Sequence, residues 1–137
     1  MSDDAPGELR RALEALLWAI ATADLAVLEP LWCEDASLYF TVGSPAGLVN
    51  GRPAVLERFR RMFAELTARL PGPPYVSFRI EEFACRVLDY RHALVFATLT
   101  FQGQLGQRTL VYRREDGALR ILHLHASNLA ARGPPAA

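Results

Sequence analysis

The sequence predicts an α+β fold in which three N-terminal helices pack against one curled antiparallel sheet. Two observations carry this prediction. Apolar residues recur at helical spacing in the first half of the chain, and the second half consists of β-branched and aromatic segments separated by glycine-containing turns. With 137 residues, of which 51% are hydrophobic, the chain is long enough for one domain with its own core. We place this domain at 7–129, between an N-terminal tail (1–6) and a C-terminal tail (130–137).

The first two helices are predicted from their apolar spacing and from the residues that begin and end helices. Leucine and isoleucine recur at helical spacing across 9–20, and the aspartates at 3–4 are available as N-caps. Asp24 can cap a second, shorter helix at 25–33. Pro30 should kink or divide that helix, because proline lacks the backbone N–H that a helix interior requires.

The third helix has the clearest pattern. It follows a short extended piece at 37–42 and a loop rich in glycine, proline and asparagine. Pro53 is well placed in its first turn, and one apolar stripe runs through 55–70. The Pro-Gly-Pro-Pro run at 71–74 ends it.

The second half is predicted as an antiparallel meander of strands. Its segments are rich in β-branched, aromatic or alternating residues. Glycine-containing turns at 103–106 and 115–117 join the last three segments as hairpins. The predicted strands cover 75–88, 92–102, 107–114 and 118–128.

Composition and charge exclude several functions. Fifteen basic residues balance fifteen acidic ones, so we expect no nucleic-acid partner and no attraction to anionic membranes. Every basic residue is arginine, which rules out a Schiff-base lysine and a P-loop. No apolar run approaches the ~20 residues that span a bilayer. The acidic start and two isolated cysteines favour a cytoplasmic location.

Two histidines in the last strand are the most conspicuous candidates for chemistry. His123 and His125 are two residues apart and therefore project from the same face of the strand. A metal site needs a third ligand, which His92 could supply only from an adjacent strand. Acid–base catalysis needs the imidazoles to face a pocket. A subunit interface is the third interpretation.

Several short motifs resemble the nuclear transport factor 2-like superfamily. They are Ala-Asp-Leu at 23–25, Leu-Trp-Cys-Glu-Asp-Ala at 31–36 and Asn-Gly-Arg-Pro-Ala at 50–54. The superfamily includes SnoaL-like polyketide cyclases, ketosteroid isomerases, scytalone dehydratase and limonene epoxide hydrolase. The C-terminal runs at 112–117 and 123–127 are more specifically similar to the association domain of calcium/calmodulin-dependent kinases.

The resemblance implies a cone-shaped sheet around a pocket closed by the three helices. Ketosteroid isomerases need a carboxylate base, a tyrosine and a protonated acid in this pocket. The matching positions hold Phe40, Leu16 and Thr109, so steroid isomerisation is not expected. The association-domain pocket is lined by arginines, and the matching positions Leu110 and Ala126 are apolar.

The resemblance further implies a homodimer that binds a small apolar or aromatic molecule in an aromatic and aliphatic pocket. An alternative is an isomerase, cyclase or dehydratase that uses Tyr112 with His123 or His125, turned inward by a β-bulge. A second alternative is a non-catalytic assembly module, and the same residues could also pack solidly and leave no cavity. The expected lining residues are Leu16, Ile20, Trp32, Phe40, Phe59, Phe63, Thr109, Tyr112, Leu122 and Leu124.

The same analogy sets the expected orientation of the last strand. Leu122, Leu124 and Ala126 should face the pocket, which places His123 and His125 on the convex side of the sheet. We therefore interpret the histidine pair as part of a subunit interface. We expect no metal site and no cofactor.

Overall fold

Three helices and a six-stranded sheet make up the computed structural model, which describes residues 1, 3–40 and 47–129. A single 3₁₀ turn, Glu29–Leu31, follows the second helix. The helices are α1 (Ala5–Ala21), α2 (Leu25–Leu28) and α3 (Arg52–Arg69), and the strands are β1 (Trp32–Phe40), β2 (Gly47–Asn50), β3 (Arg79–Val87), β4 (His92–Phe101), β5 (Gln104–Glu115) and β6 (Ala118–Leu129).

The sheet has the strand order β2-β1-β6-β5-β4-β3 and is curled but not closed. All neighbouring strands are antiparallel except β1 and β6, which run parallel. Helices α1 and α3 pack on one face, which we call the inner face, and the opposite face is the convex face. The predicted α+β class, with helices on one side of a meander, is confirmed.

The first half follows the predicted pattern with shifted boundaries. Helix α1 begins at Ala5, inside the segment predicted as a tail, and Asp4 makes no side-chain capping bond. Asp24 does cap α2, since its Oδ1 accepts a hydrogen bond from the Val27 backbone at 3.1 Å. Pro30 lies in the 3₁₀ turn that ends this helix. The predicted helix over 25–33 is therefore too long, because β1 already begins at residue 32.

Helix α3 agrees with its prediction. Pro53 lies in its first turn, where the missing N–H has no helical partner to lose. Val55, Phe59 and Phe63 form the buried stripe that faces the sheet. The helix ends at Arg69, just before the proline-rich run at 71–74.

Strand boundaries depart from the prediction in several places, and β3 begins at Arg79, four residues later than predicted. Strand β2 was expected as loop, and it pairs with the end of β1 as an antiparallel hairpin. Strand β5 begins three residues earlier than predicted, because the preceding turn contains two central residues, not four. Gln102 and Gly103 have φ values of 50° and 74°, and Asp116 and Gly117 have 49° and 79°. Positive φ at both central residues is the geometry that suits tight hairpins.

A β-bulge in β6 decides which of its side chains face the helices. Val111 pairs with His123 and Tyr112 pairs with Ile121, so Leu122 is an extra residue between them. The extra residue reverses the alternation. Ile121 is therefore buried, and Leu122, which was expected to face the pocket, packs partly buried against the core and does not line the cavity described below.

Candidate ligand pocket

A cavity of about 290 Å³ lies between α1, α3 and the inner face of the sheet. Its size is close to the lower end of the range of small-molecule sites, about 300–1,000 Å³. Most of its wall is apolar, and the polar groups come from α3, from the β4–β5 turn and from the ends of β5 and β6. The lining residues are Leu13, Leu16, Leu17, Ile20, Phe40, Arg58, Arg61, Met62, Glu65, Leu66, Val76, Phe78, Phe101, Gln102, Arg108, Leu124 and Asn128.

Aromatic packing supports one side of this cavity. Phe59 of α3 is fully buried, with ring centroids 5.6 Å from Trp32, 5.2 Å from Phe40 and 5.9 Å from Phe63. These distances are typical of favourable tilted and edge-to-face aromatic pairs. Phe40 is the member of this cluster that also lines the cavity. The cluster fixes the position of α3 against β1 and so helps to define the pocket wall.

Arg108 and Asn128 form a polar pair in the otherwise apolar wall. They lie on the adjacent strands β5 and β6, and Arg108 Nη1 donates to Asn128 Oδ1 at 3.0 Å. The same nitrogen donates to the backbone oxygens of Gln107 at 3.0 Å and Ser127 at 3.3 Å. The guanidinium carbon lies 5.7 Å from the centre of the Phe101 ring, within range of a cation–π interaction.

Gly106 makes room for this pair. A Cβ atom at this position would lie 2.9 Å from Arg108 Nη1, from Asn128 Oδ1 and from Phe101 Cε1. All three neighbours are the ends of side chains, so a larger residue would displace the polar pair and leave the strand backbone in place. The glycine near the start of β5 therefore allows the close approach of these three side chains.

The charge of the pocket is predominantly positive. Arg58, Arg61 and Arg108 contribute cations, and Glu65 contributes the one carboxylate among the described lining residues. Arg61 is paired with a helix neighbour, since its Nε lies 3.4 Å from Glu57 Oε1. Burial lowers the pKa of Arg108 to about 10, because the cation is removed from water. Arg108 is thus the desolvated cation of the pocket.

Four of the ten expected lining residues line the cavity: Leu16, Ile20, Phe40 and Leu124. Trp32, Phe59, Phe63 and Tyr112 are instead buried in the adjoining core. The placement of Thr109 in the pocket is wrong, because Thr109 pairs with His125 and Phe96 on the convex face. Leu122 packs against the core beside the bulge and does not line the cavity.

Sequence reasoning did not place the polar residues of the pocket wall. They are Arg108, Asn128 and, on α3, Arg58, Arg61 and Glu65. Arg108 lies two residues before Leu110 and four before Tyr112, so strand alternation alone places all three on the inner face. That alternation could have identified Arg108 as a pocket residue. The expectation of an apolar pocket wall followed instead from Leu110 and Ala126, which are buried in the core.

The three candidate catalytic residues are not brought together. Tyr112 lies on the inner face, fully buried, and its hydroxyl has no hydrogen-bond partner among the described residues. Burial raises the pKa of Tyr112 well above its ordinary value, so the phenol stays protonated. His123 and His125 lie on the opposite, convex face, in line with Ser37 and Tyr39 of β1. The sheet therefore separates the phenol from both imidazoles.

The histidines have partners on the convex face. His123 Nδ1 lies 2.7 Å from Ser37 Oγ, and the Tyr39 ring centroid lies 6.0 Å from that of His123 and 5.3 Å from that of His125. Burial, and secondly the nearby His125, lower the pKa of His123. His92 is on β4, two strands away from β6, and its Nδ1 lies 3.0 Å from Asp89 Oδ1.

Neither a metal centre nor a membrane span is found in the described part of the chain. No group of three or more histidine, cysteine, aspartate or glutamate side chains in residues 1, 3–40 and 47–129 is placed to hold a metal ion. None of the helices in these residues is both long and apolar enough to cross a bilayer.

Comparison with known proteins identifies the family of this fold. A family profile described as a SnoaL-like domain matches residues 9–131. No curated protein matches the chain. Among solved structures, a candidate dehydratase of the NTF2-like family from Streptomyces avermitilis is 22% identical, with a TM-score of 0.77 over 94% of this chain and 99% of that one.

Two further solved structures have the same fold. An NTF2-like protein of unknown function from Pseudomonas putida KT2440 is 19% identical, with a TM-score of 0.76 over 93% of this chain and 88% of that one. A candidate calcium/calmodulin-dependent protein kinase type II association domain from Thiobacillus denitrificans is 23% identical, with a TM-score of 0.63 over 88% of this chain and 94% of that one. At these identities the likeness shows the fold alone.

Proposed function

The chain belongs to the SnoaL-like domain family of the nuclear transport factor 2-like superfamily, and we propose that it binds a small apolar or aromatic molecule in the pocket between its helices and its sheet. The observation that carries this proposal is the cavity of about 290 Å³ with a largely apolar wall. A concave, mostly apolar pocket is the usual form of a small-molecule site. An apolar molecule bound there would remove this apolar surface from water, which is favourable.

The composition of the wall supports an aromatic or branched aliphatic ligand. Phe40 and Phe101 contribute aromatic surface, and Leu16, Ile20 and Leu124 contribute aliphatic surface. Small-molecule sites commonly combine such a wall with a few polar groups that orient the ligand. The Arg108–Asn128 pair described above provides such groups in this pocket.

A neutral aromatic probe tests the binding role. We expect 2-naphthalenemethanol to bind the wild-type protein measurably by calorimetry. Ile20→Trp should weaken this binding at least about tenfold, because the larger side chain occupies the cavity. Ala15→Trp adds the same group at an exposed position of α1 and should bind like wild type. Equal affinity of Ile20→Trp and wild type for this alcohol would contradict the proposal. The proposal would also be contradicted if wild type bound neither this alcohol nor 2-naphthoate.

The proposal includes a homodimer formed through the convex face. Tyr39 and Phe96 are exposed there to 41% and 40%, although large aromatic side chains are usually more buried. Uncharged side chains of β1, β5 and β6 lie near them, and the charged Glu82 and Arg86 of β3 lie on the same face towards the sheet edge. A mixed surface of this kind suits a self-complementary interface between two copies. The residues of the convex face include Ser37, Tyr39, Glu82, Ala84, Arg86, Leu94, Phe96, Thr98, Gln107, Thr109, Val111, His123, His125 and Ser127.

Sedimentation velocity at micromolar concentration tests the dimer. We expect a dimer for the wild type and a monomer for Phe96→Glu, because a buried unpaired carboxylate is costly. Trp18→Glu is the matched control, since Trp18 is 61% exposed on α1 and lies away from the convex face. A monomeric wild type would contradict both the dimer and the assembly-module alternative.

An isomerase, cyclase or dehydratase is the second candidate function, and the description of the Streptomyces avermitilis protein as a candidate dehydratase supports it. The mechanism predicted from the sequence uses Tyr112 together with an inward-facing His123 or His125. The sheet separates Tyr112 from both histidines, so the geometry gives that mechanism no support. Among the described lining residues, Glu65 carries the one carboxylate, the kind of group that a general base needs. Loss of turnover in Glu65→Gln on an identified substrate, with unchanged substrate binding, would favour this candidate.

A further inference from the structure

We infer that the ligand is a small monocarboxylic acid, aromatic or branched aliphatic, whose carboxylate is held by Arg108 and Asn128; this rests on the binding role proposed above. The observation behind it is an arginine that projects into a largely apolar cavity and donates only to neutral oxygens. A guanidinium in such a place normally has an anionic partner, because transfer of a charge out of water is costly.

Other arginines of the same strand have the partner that Arg108 lacks. Arg113 Nη2 lies 2.6 Å from Asp35 Oδ1, and Arg114 Nη2 lies 3.0 Å from Glu8 Oε2. No carboxylate of the described residues lies within ion-pair distance of Arg108.

The remainder of the chain supplies no acidic side chain for Arg108 either. Residues 2, 41–46 and 130–137 contain no aspartate or glutamate. The complementary charge therefore has to come from a molecule other than the side chains of this chain. A ligand carboxylate in the same cavity is the source that the geometry favours.

The unused donors suit a carboxylate. All three hydrogen bonds of Arg108 come from Nη1, and neither Nη2 nor Nε has a partner among the described residues. With Oδ1 of Asn128 accepting from Arg108, the side-chain amide nitrogen of Asn128 is a second donor at the same place. A planar guanidinium binds the two oxygens of a carboxylate through parallel hydrogen bonds. The Phe101 ring lies beside the guanidinium, within range of a cation–π interaction.

The size and polarity of the pocket distinguish a carboxylate from a phosphate. A phosphate monoester carries up to about two negative charges and three acceptor oxygens, and it needs several cationic donors. Arg58 and Arg61 of α3 also line the pocket, and Arg61 is paired with Glu57. At Arg108 itself, one guanidinium without a carboxylate partner among the described residues and one amide match a single charge with two oxygens. The remaining wall is mainly apolar, so the rest of the molecule should be a hydrocarbon or an aromatic ring.

Two probes of nearly equal shape test this inference. Calorimetry at pH 7 compares 2-naphthoate with 2-naphthalenemethanol, which differ mainly in the charge of the end group. Hydrogen bonds to a charged group are worth about 1.5–3 kcal/mol, so we expect wild type to prefer the acid by about tenfold to a hundredfold. Arg108→Met should reduce this preference to within about twofold. Arg79→Met, at an 80% exposed position of β3, should keep it.

The outcomes separate this inference from the binding role. Equal affinity of wild type for the two probes, or an acid preference that survives in Arg108→Met, overturns the carboxylate inference and leaves the pocket as a binding site. Failure of both probes to bind wild type removes the binding role and the inference together. If Arg108→Met does not fold, Gly106→Ala makes the same comparison, because its Cβ displaces Arg108 and Asn128. Retained acid preference in that variant also overturns the inference.

Discussion

Replacing Arg108 by methionine should leave the free protein nearly as stable as wild type, even though the side chain is largely buried. The pKa of Arg108 falls well below its ordinary value, to about 10, through burial. One pKa unit is worth about 1.4 kcal/mol, so burial of the cation costs about 3 kcal/mol, and partial exposure reduces this cost to about 2 kcal/mol.

Lost hydrogen bonds offset this gain. Methionine removes the three contacts from Arg108 Nη1 to neutral oxygens, which share the two N–H groups of that nitrogen and together are worth about 1–3 kcal/mol net. Methionine fills a similar volume and packs well beside the Phe101 ring. The two contributions nearly cancel, and we expect the free energy of unfolding to change by no more than about 1 kcal/mol.

Urea unfolding at pH 7, followed by circular dichroism, measures this change. Breaking a buried ion pair by removing one partner costs about 3–5 kcal/mol. A loss of that size in Arg108→Met would refute the reasoning, because it would mean that Arg108 already has a charged partner inside the folded chain. A change near zero, together with weakened binding of 2-naphthoate, would identify Arg108 as a ligand-binding residue and not a structural one.

Three further predictions concern the pocket and the convex face. Phe59→Ala should lower the free energy of unfolding by about 3–5 kcal/mol in urea, because Phe59 is fully buried among three aromatic rings, whereas Trp18→Ala should change it by less than about 0.5 kcal/mol. Gly106→Ala should stay folded with nearly wild-type stability by the same assay but bind 2-naphthoate at least about tenfold more weakly by calorimetry, since its Cβ meets only the ends of side chains. The lowered pKa of His123 means that the unfolded chain binds the proton more tightly, so stability should fall as the pH drops through about 6.5. In NMR titration, His125→Asn should raise the pKa of His123, and an unchanged value would contradict the assigned influence of His125.

Much of the fold could be predicted from the sequence because its signals are local. The apolar stripe of α3, the proline in its first turn and the proline-rich run at 71–74 depend on neighbouring residues only, and they fixed that helix correctly. Pro30, which was expected to kink or divide the second helix, lies in the 3₁₀ turn that follows α2. Strand β2 was missed because its four residues, Gly47–Asn50, have a loop-like composition and form a strand only through pairing with β1.

The site was predicted less well than the fold because it depends on the orientation of each strand. The bulge at Leu122 is set by pairing between β5 and β6, and no local sequence pattern announces it. Thr109 was assigned to the wrong face because its position was transferred from distant relatives. Two errors concern β5: Thr109 was assigned to the pocket, and Arg108 was not. Strand alternation from the buried Leu110 and Tyr112 corrects both, since it places Thr109 on the convex face and Arg108 on the inner face.

A crystal structure of the protein with 2-naphthoate tests the central claim most directly. We expect the naphthalene ring in the cavity between α1, α3 and the sheet, in contact with Phe40 and Leu124. The carboxylate oxygens should lie about 2.7–2.9 Å from the Arg108 guanidinium nitrogens, the usual length of a charge-assisted hydrogen bond. An empty cavity in crystals saturated with 2-naphthoate, or a carboxylate that points away from Arg108 into solvent, would contradict the account.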